Sequence, residues 1–127
     1  MLSEETMVAF LGTARAEASK AFYVGQLGLT LAHEDDFALV FAGAHAQLMV
    51  RKATDAAPLP GTVVGWEVAD LRAANRALAA KGVVFERNPG MAQDELGIWR
   101  PAGPDGPHGV CWFKDPDGNT LSISGPV

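Results

Sequence analysis

The sequence predicts an α+β fold of two β-α-β-β-β modules, whose small mixed sheets curve into a half-barrel around a central cleft. Three observations predict it. Short apolar runs alternate with turn signals, two segments carry apolar residues at helical spacing, and a strand, helix and stop signal recur once along the chain. Thr13 and Gly28 are matched by Val68 and Gly82 after a shift of roughly 55 positions, which is a duplication and not a solenoid. The modules cover about residues 5–53 and 61–125, and residues 54–60, with Pro58 and Pro60, are the interior linker.

Residues 7–11 (MVAFL) are an apolar run that ends at Gly12 and Thr13, and they form the first strand. From about residue 15 to residue 27 the chain is rich in Ala, and Ala14, Ala18, Phe22 and Ala21 or Leu27 recur at three- and four-residue steps, which makes an amphipathic helix. Gly28 stands where a left-handed terminator is needed. Residues 29–32, 37–41 and 46–51 follow as three strands of an antiparallel meander, separated by the polar 33–36 and by Gly43 and Ala44. In the second module residues 62–68 are strand-like, Asp70 caps a helix striped by Leu71, Ala74 and Leu78, and Lys81 and Gly82 end it. Residues 83–86 resume extended structure. A Pro89-Gly90 region, a segment at 97–100 and a loop at 101–107 lead to two final strands, 109–114 and 120–124. Between those strands Pro116 restricts its own φ and Gly118 tolerates a positive one, so Asp115 and Asp117 read as turn residues and not as catalytic acids.

The chain has 127 residues and 48% hydrophobic content, enough for one compact domain with a real core. Ten Lys plus Arg against fifteen Asp plus Glu give a formal net charge of −5, with no basic cluster to attract nucleic acid or an anionic membrane. The lone Cys111, between Val110 and Trp112, reads as a packed thiol. No apolar run approaches the ~20 residues that span a bilayer, and residues 1–12 lack the pattern of a secretion signal, so a cytoplasmic location is expected.

Four stretches carry a resemblance over nearly the whole chain: residues 21–29 (AFYVGQLGL), 65–71 (GWEVADL), 81–83 (KGV) and 112–119 (WFKDPDGN). In their order and spacing the sequence resembles the vicinal oxygen chelate superfamily, which includes glyoxalase I, bleomycin and fosfomycin resistance proteins and extradiol dioxygenases. The resemblance implies the glyoxalase/bleomycin resistance fold and a homodimer. Its metal-dependent members place His, Gln or Glu on the cleft side of four strands, because a divalent cation needs several converging donors. Those positions fall here on or beside Val8, near Gln47, on Val63 and on Ser122. Gln47 alone offers a metal donor of that kind, so no metal is expected at the usual site and no cofactor is implied. His45, Gln47 and Glu67 make an alternative, displaced donor set, although a His near a hairpin is more often simply solvated. His33 and His108 are expected at the surface.

A cleft stripped of metal ligands suits an organic molecule. Val8, Phe10, Met49 and Val63 supply apolar walls, and Gln47, Glu67 and Ser122 supply polar anchors. Strand alternation turns Trp66 toward its helix, while Trp99 is a candidate lid. Trp112 faces the cleft or the core according to the hairpin register, and the resemblance favours the cleft. Arg51 and Arg100 read as surface solubilisers. The chain has no Gly-x-Ser-x-Gly elbow and no phosphate loop. Glu67 is then the one candidate catalytic residue, a base whose pKa an apolar cavity would raise. The expected function is metal-free binding or sequestration of a small apolar or aromatic molecule. A glyoxalase-type lyase or isomerase using Glu67 is the alternative, and a structural or regulatory partner is a third reading.

Overall fold

Alternating apolar residues build the first sheet. In the computed structural model, which describes residues 1–127, β1 (Met7–Thr13) leads into α1 (Ala16–Lys20) and then into β2 (Thr30–Glu34), β3 (Ala38–Ala42) and β4 (Ala46–Lys52). The sheet order is β1-β4-β3-β2, with β1 parallel to β4 and the remaining pairs antiparallel. Leu11, Leu39, Phe41, Leu48 and Val50 are buried, and the ring of Tyr23 lies 5.2 Å from that of Phe41. These elements belong to one compact unit, Met1–Pro58 together with Pro116–Gly118.

The expected helix over residues 15–27 is not one regular α-helix. After Lys20 it widens into a π-helical stretch, Ala21–Gln26, in which Leu27 N–H donates to the Phe22 carbonyl five residues back at 3.0 Å. The consecutive aromatics Phe22 and Tyr23 are both buried there, edge to face with centroids 5.0 Å apart. Gly28 ends the helix at φ 76°, as its position implies.

Glu34, on the edge strand β2, receives Lys20 Nζ at 2.5 Å and Lys52 Nζ at 3.0 Å. The hydrogen bond from Lys20, then that from Lys52, holds its carboxyl below the usual glutamate range. A depressed folded-state pKa gives stabilisation that is present above the unfolded value and is lost as pH falls through the folded one. Carbon-detected NMR titration is expected to place the Glu34 midpoint below that of an unfolded-peptide glutamate, with the difference reduced in Lys20→Gln.

The second unit, Leu59–Asp115 with Asn119–Val127, contains β5 (Thr62–Glu67), α2 (Leu71–Ala80), β6 (His108–Lys114) and β7 (Thr120–Pro126). Its sheet order is β5-β7-β6, with β5 parallel to β7. Asp70 caps α2 through Oδ1, which accepts the Ala73 N–H at 3.0 Å. The buried positions of α2 are Leu71 and Asn75. Asn75 Nδ2 donates to the Leu96 carbonyl at 3.0 Å and lies 3.5 Å from Cys111 Sγ. An amide at a core position carries no apolar signal, so the stripe of Leu71, Ala74 and Leu78 does not reveal it. Cys111 is free and fully buried, and burial pushes its thiol up, away from a reactive thiolate.

The strand expected at 83–86 reduces to one bridge, Phe85 to Phe113, and a second bridge, Trp99 to Val110, continues the same edge. Between them the chain makes an excursion that the Gln93 amide closes. Its Oε1 accepts the Asn88 N–H at 2.7 Å, and its Nε2 donates to the Glu86 and Gly97 carbonyls at 3.0 and 2.8 Å. Pro89 lacks the N–H that a continuing ladder requires, and a side-chain amide substitutes for strand pairing.

Candidate ligand-binding faces

Each sheet has one face buried and one open, and the strand register decides which residues share the open side. In the first unit Val8 pairs with Gln47, which pairs with Ala42, and Phe10 pairs with Met49, which pairs with Val40. Val8 and Phe10 are 37% and 59% exposed, Gln47 is exposed and Met49 is half-buried. Four residues singled out in the sequence therefore lie side by side on an apolar face with one amide. Val40 belongs to the same row and had no separate signal, because β3 is apolar on both faces.

In the second unit Trp112 pairs with Ser122, which pairs with Gly65. The hairpin between β6 and β7 has five residues, with Asp115 N–H donating to the Asn119 carbonyl at 3.0 Å and Lys114 opposite Thr120. That register places Trp112 on the open face with Ser122, since the buried Cys111, Phe113, Leu121 and Ile123 alternate with them. The Trp99 ring stands 6.2 Å from that of Trp112 at an interplanar angle of 32°. A Cβ on Gly65 would lie 2.5 Å from Ser122 Oγ, so the glycine opens the space into which the hydroxyl leans. A second row runs from Val110 through Ser124 to Glu67. Trp66 pairs with the buried Ile123 and lies on the helix side, as alternation requires.

Val63 is less simply placed. The register shifts between Thr62 and Val64, so Val63 is the extra residue of a β-bulge, half-buried and without a cross-strand partner. Glu67 reaches the open face but is solvent-exposed, where the sequence reading expects an apolar cavity around it. Arg51 is exposed, as expected of a solubilising residue, whereas Arg100 is half-buried and lines a cavity, which corrects its reading as a surface arginine. Beside Trp112 a smaller cavity of about 220 Å³ is edged by Thr62, Glu86, Lys114 and Thr120, with Glu86 and Lys114 3.9 Å apart.

A family model for the glyoxalase/bleomycin resistance protein/dioxygenase superfamily matches residues 7–123. The chain belongs to that superfamily. Solved structures agree in fold at low sequence identity. A glyoxalase family protein from Bacillus anthracis superposes with a TM-score of 0.73 at 12% identity, over 98% of this chain and 96% of that one. TnmS3, an antibiotic-binding protein from a Streptomyces species, gives 0.70 at 20% identity over 100% and 99%. Lactoylglutathione lyase from Agrobacterium tumefaciens gives 0.70 at 18% identity over 96% and 93%. No curated protein matches the chain in sequence.

The divalent metal that the superfamily implies does not fit the side chains present. Val8 and Val63 have no donor atom, Ser122 offers a neutral hydroxyl, and Gln47 has Val8 and Ala42 as its strand partners. No three His, Cys, Asp or Glu side chains are grouped to hold an ion, and of the displaced donor set His45 and Gln47 belong to the first unit and Glu67 to the second. His45 is an exposed residue of the β3–β4 turn, and exposed His33 bonds Asp35 at 3.0 Å. No helix is long and apolar enough to cross a membrane.

Proposed function

We propose that this protein binds or sequesters a small apolar or aromatic molecule, without metal, on the open face of its second unit. The observation that carries the reading is the Trp99–Trp112 pair, whose rings lie 6.2 Å apart beside a Ser122 hydroxyl set free by Gly65. Indole faces supply flat apolar area, and one hydroxyl orients a ligand that has a single polar group. The row of Val8, Phe10, Gln47 and Met49 offers a second surface of the same chemistry. The fold shared with an antibiotic-binding protein supports the reading. The homodimer and the cytoplasmic location expected from the sequence belong to it as well, and sedimentation velocity tests the former.

Quinoline, a neutral two-ring heteroaromatic, is a suitable first probe. It is expected to perturb the indole N–H resonances of Trp99 and Trp112 saturably in ¹H–¹⁵N spectra. Trp112→Ala is expected to weaken binding about tenfold or more, the equivalent of about 1.4 kcal/mol for one lost aromatic face. Gly65→Val is expected to weaken it further by filling the space beside Ser122. Unchanged affinity in both variants, with the fold retained, would remove the reading.

A second reading, a lyase or isomerase acting on a small carbonyl compound, rests on the position of Glu67 in the Val110–Ser124 row of the same face. It is supported by the fold shared with lactoylglutathione lyase. Glu67 would remove a proton from the carbon beside the carbonyl. Deuterium wash-in to dihydroxyacetone, followed by NMR, tests it: exchange above the buffer rate that disappears in Glu67→Gln supports a base at this position, and exchange at the buffer rate excludes it for this compound.

A further inference from the structure

A cavity of about 580 Å³ in the second unit has Trp99 in its lining but not Gly65, Trp112 or Ser122. It is bounded by the start of α2, the excursion around Gln93 and the loop after Arg100, and its volume falls in the range of small-molecule sites. Ile98, Trp99, Pro101 and Pro104 give it apolar walls.

Its polar lining divides sharply. Gln93 is committed to the three backbone groups that close the excursion. Asp94 Oδ1 accepts the Leu96 and Ile98 N–H groups at 2.9 and 3.0 Å, and its Oδ2 faces Arg72 Nη2 at 3.4 Å. Arg72 also faces Glu95 at 3.3 Å, so its charge is already balanced. Arg100 is different. One of its N–H groups donates to the Gly106 carbonyl at 3.0 Å, and no carboxylate pairs with it. A guanidinium carries five donors in a rigid plane that matches a carboxylate in bidentate fashion, and a half-buried one without a counter-charge favours an anion.

From this arrangement we infer that the cavity is a second binding site, which takes a small organic carboxylate with its carboxylate on Arg100 and its hydrocarbon part against Trp99 and the two prolines. Asp94 does not oppose this occupant, because its charge is held by Arg72 and two backbone donors. The aligned N–H groups on Asp94 and the Gln93 clamp keep the walls in place before anything binds, which lowers the ordering cost of binding.

Benzoate and its neutral analogue benzamide, each titrated at pH 7 and low salt with ¹H–¹⁵N detection, test the site. Benzoate is expected to shift the Arg100 Nε–H and Trp99 indole resonances saturably while the Gly65 and Ser122 amides stay in place. Benzamide is expected to bind about tenfold more weakly or worse, and Arg100→Gln to lose a similar factor, with partial recovery in Arg100→Lys. The inference fails if benzoate moves no resonance, if the two probes bind alike, or if benzoate shifts follow Gly65 and Ser122 in place of Arg100. The comparison of probes uses the unaltered chain, so it decides the matter even if Arg100→Gln does not fold. Trp99 is common to the two experiments, but quinoline binding is judged at Trp112 and Gly65 and benzoate binding at Arg100, so either site can fail without the other.

Discussion

Gly125→Ala is expected to destabilise the protein by about 3 kcal/mol or more, with a fall in Tm of about 12 °C. A Cβ at this position would sit 2.1 Å from the Val68 carbonyl oxygen and 3.1 Å from its carbon. Both contacts are with backbone, which no side-chain rotation relieves. The cause lies in how the parallel pair ends: Val68 N–H donates to the Ser124 carbonyl at 2.8 Å, which holds the chain leaving β5 against β7 at Gly125. The φ of 157° at Gly125 adds a conformation that L residues rarely adopt. Gly109, its strand partner on β6, supplies the control. A Cβ there would meet Ile98 Cγ2 at 2.5 Å, Val127 Cγ2 at 2.9 Å and Leu71 Cδ2 at 3.1 Å, all ends of side chains. Gly109→Ala is therefore expected to cost less than Gly125→Ala. Urea denaturation of the two variants checks the order, and equal midpoints would contradict the backbone argument.

Asp117→Ala is expected to cost about 3 kcal/mol through lost hydrogen bonds to a charged acceptor. Asp117 Oδ2 accepts from Thr13 Oγ1 at 2.5 Å and from Ser19 Oγ at 3.2 Å, and Oδ1 accepts the Ala14 N–H at 2.9 Å. Thr13 and Ser19 are almost fully buried, with their hydroxyl oxygens 2.7 Å apart. Removal of the carboxylate takes the acceptor from two buried hydroxyls, of which Thr13 Oγ1 still accepts the Arg15 N–H at 3.0 Å, and strips the Ala14 N–H, just before α1, of its partner. Asp117→Asn keeps one acceptor oxygen and is expected to lose about half as much. Denaturant melts measure both. Neither change is expected to alter quinoline binding to the folded protein, whereas a tenfold loss of affinity in Asp117→Asn would give Asp117 a role in the site.

The two aspartates of the 115–118 turn show how far local chemistry reads. Pro116 and Gly118 mark a hairpin, and Asp115 does what such turns require: its carboxylate accepts the Asn119 N–H at 2.9 Å and Nδ2 at 3.0 Å. The partners of Asp117, about a hundred positions earlier, have no trace in the local pattern. The same division runs through the candidate site. Val8, Phe10, Gln47 and Met49 were legible as one face, because period-two alternation is local and β1 and β4 pair without interruption. The edge strand of the second sheet was not legible, because a side-chain amide clamp at Gln93, with no counterpart in strand periodicity, lets the chain leave the edge at Phe85 and rejoin it at Trp99.

What the sequence determined by itself was the duplicated α+β architecture, the helix stops at Gly28 and Gly82, the Asp70 cap and the poverty of metal donors. Each of these follows from the conformational or chemical limits of single residues and their near neighbours. Only the tertiary structure decided that Trp112 and Ser122 share an open face, that Val63 falls in a bulge, that Glu67 meets solvent and that Arg100 lines a cavity. Those outcomes depend on strand register and on loops brought together from distant positions, and a shift of one residue in pairing would have reversed the side on which a strand's side chains lie.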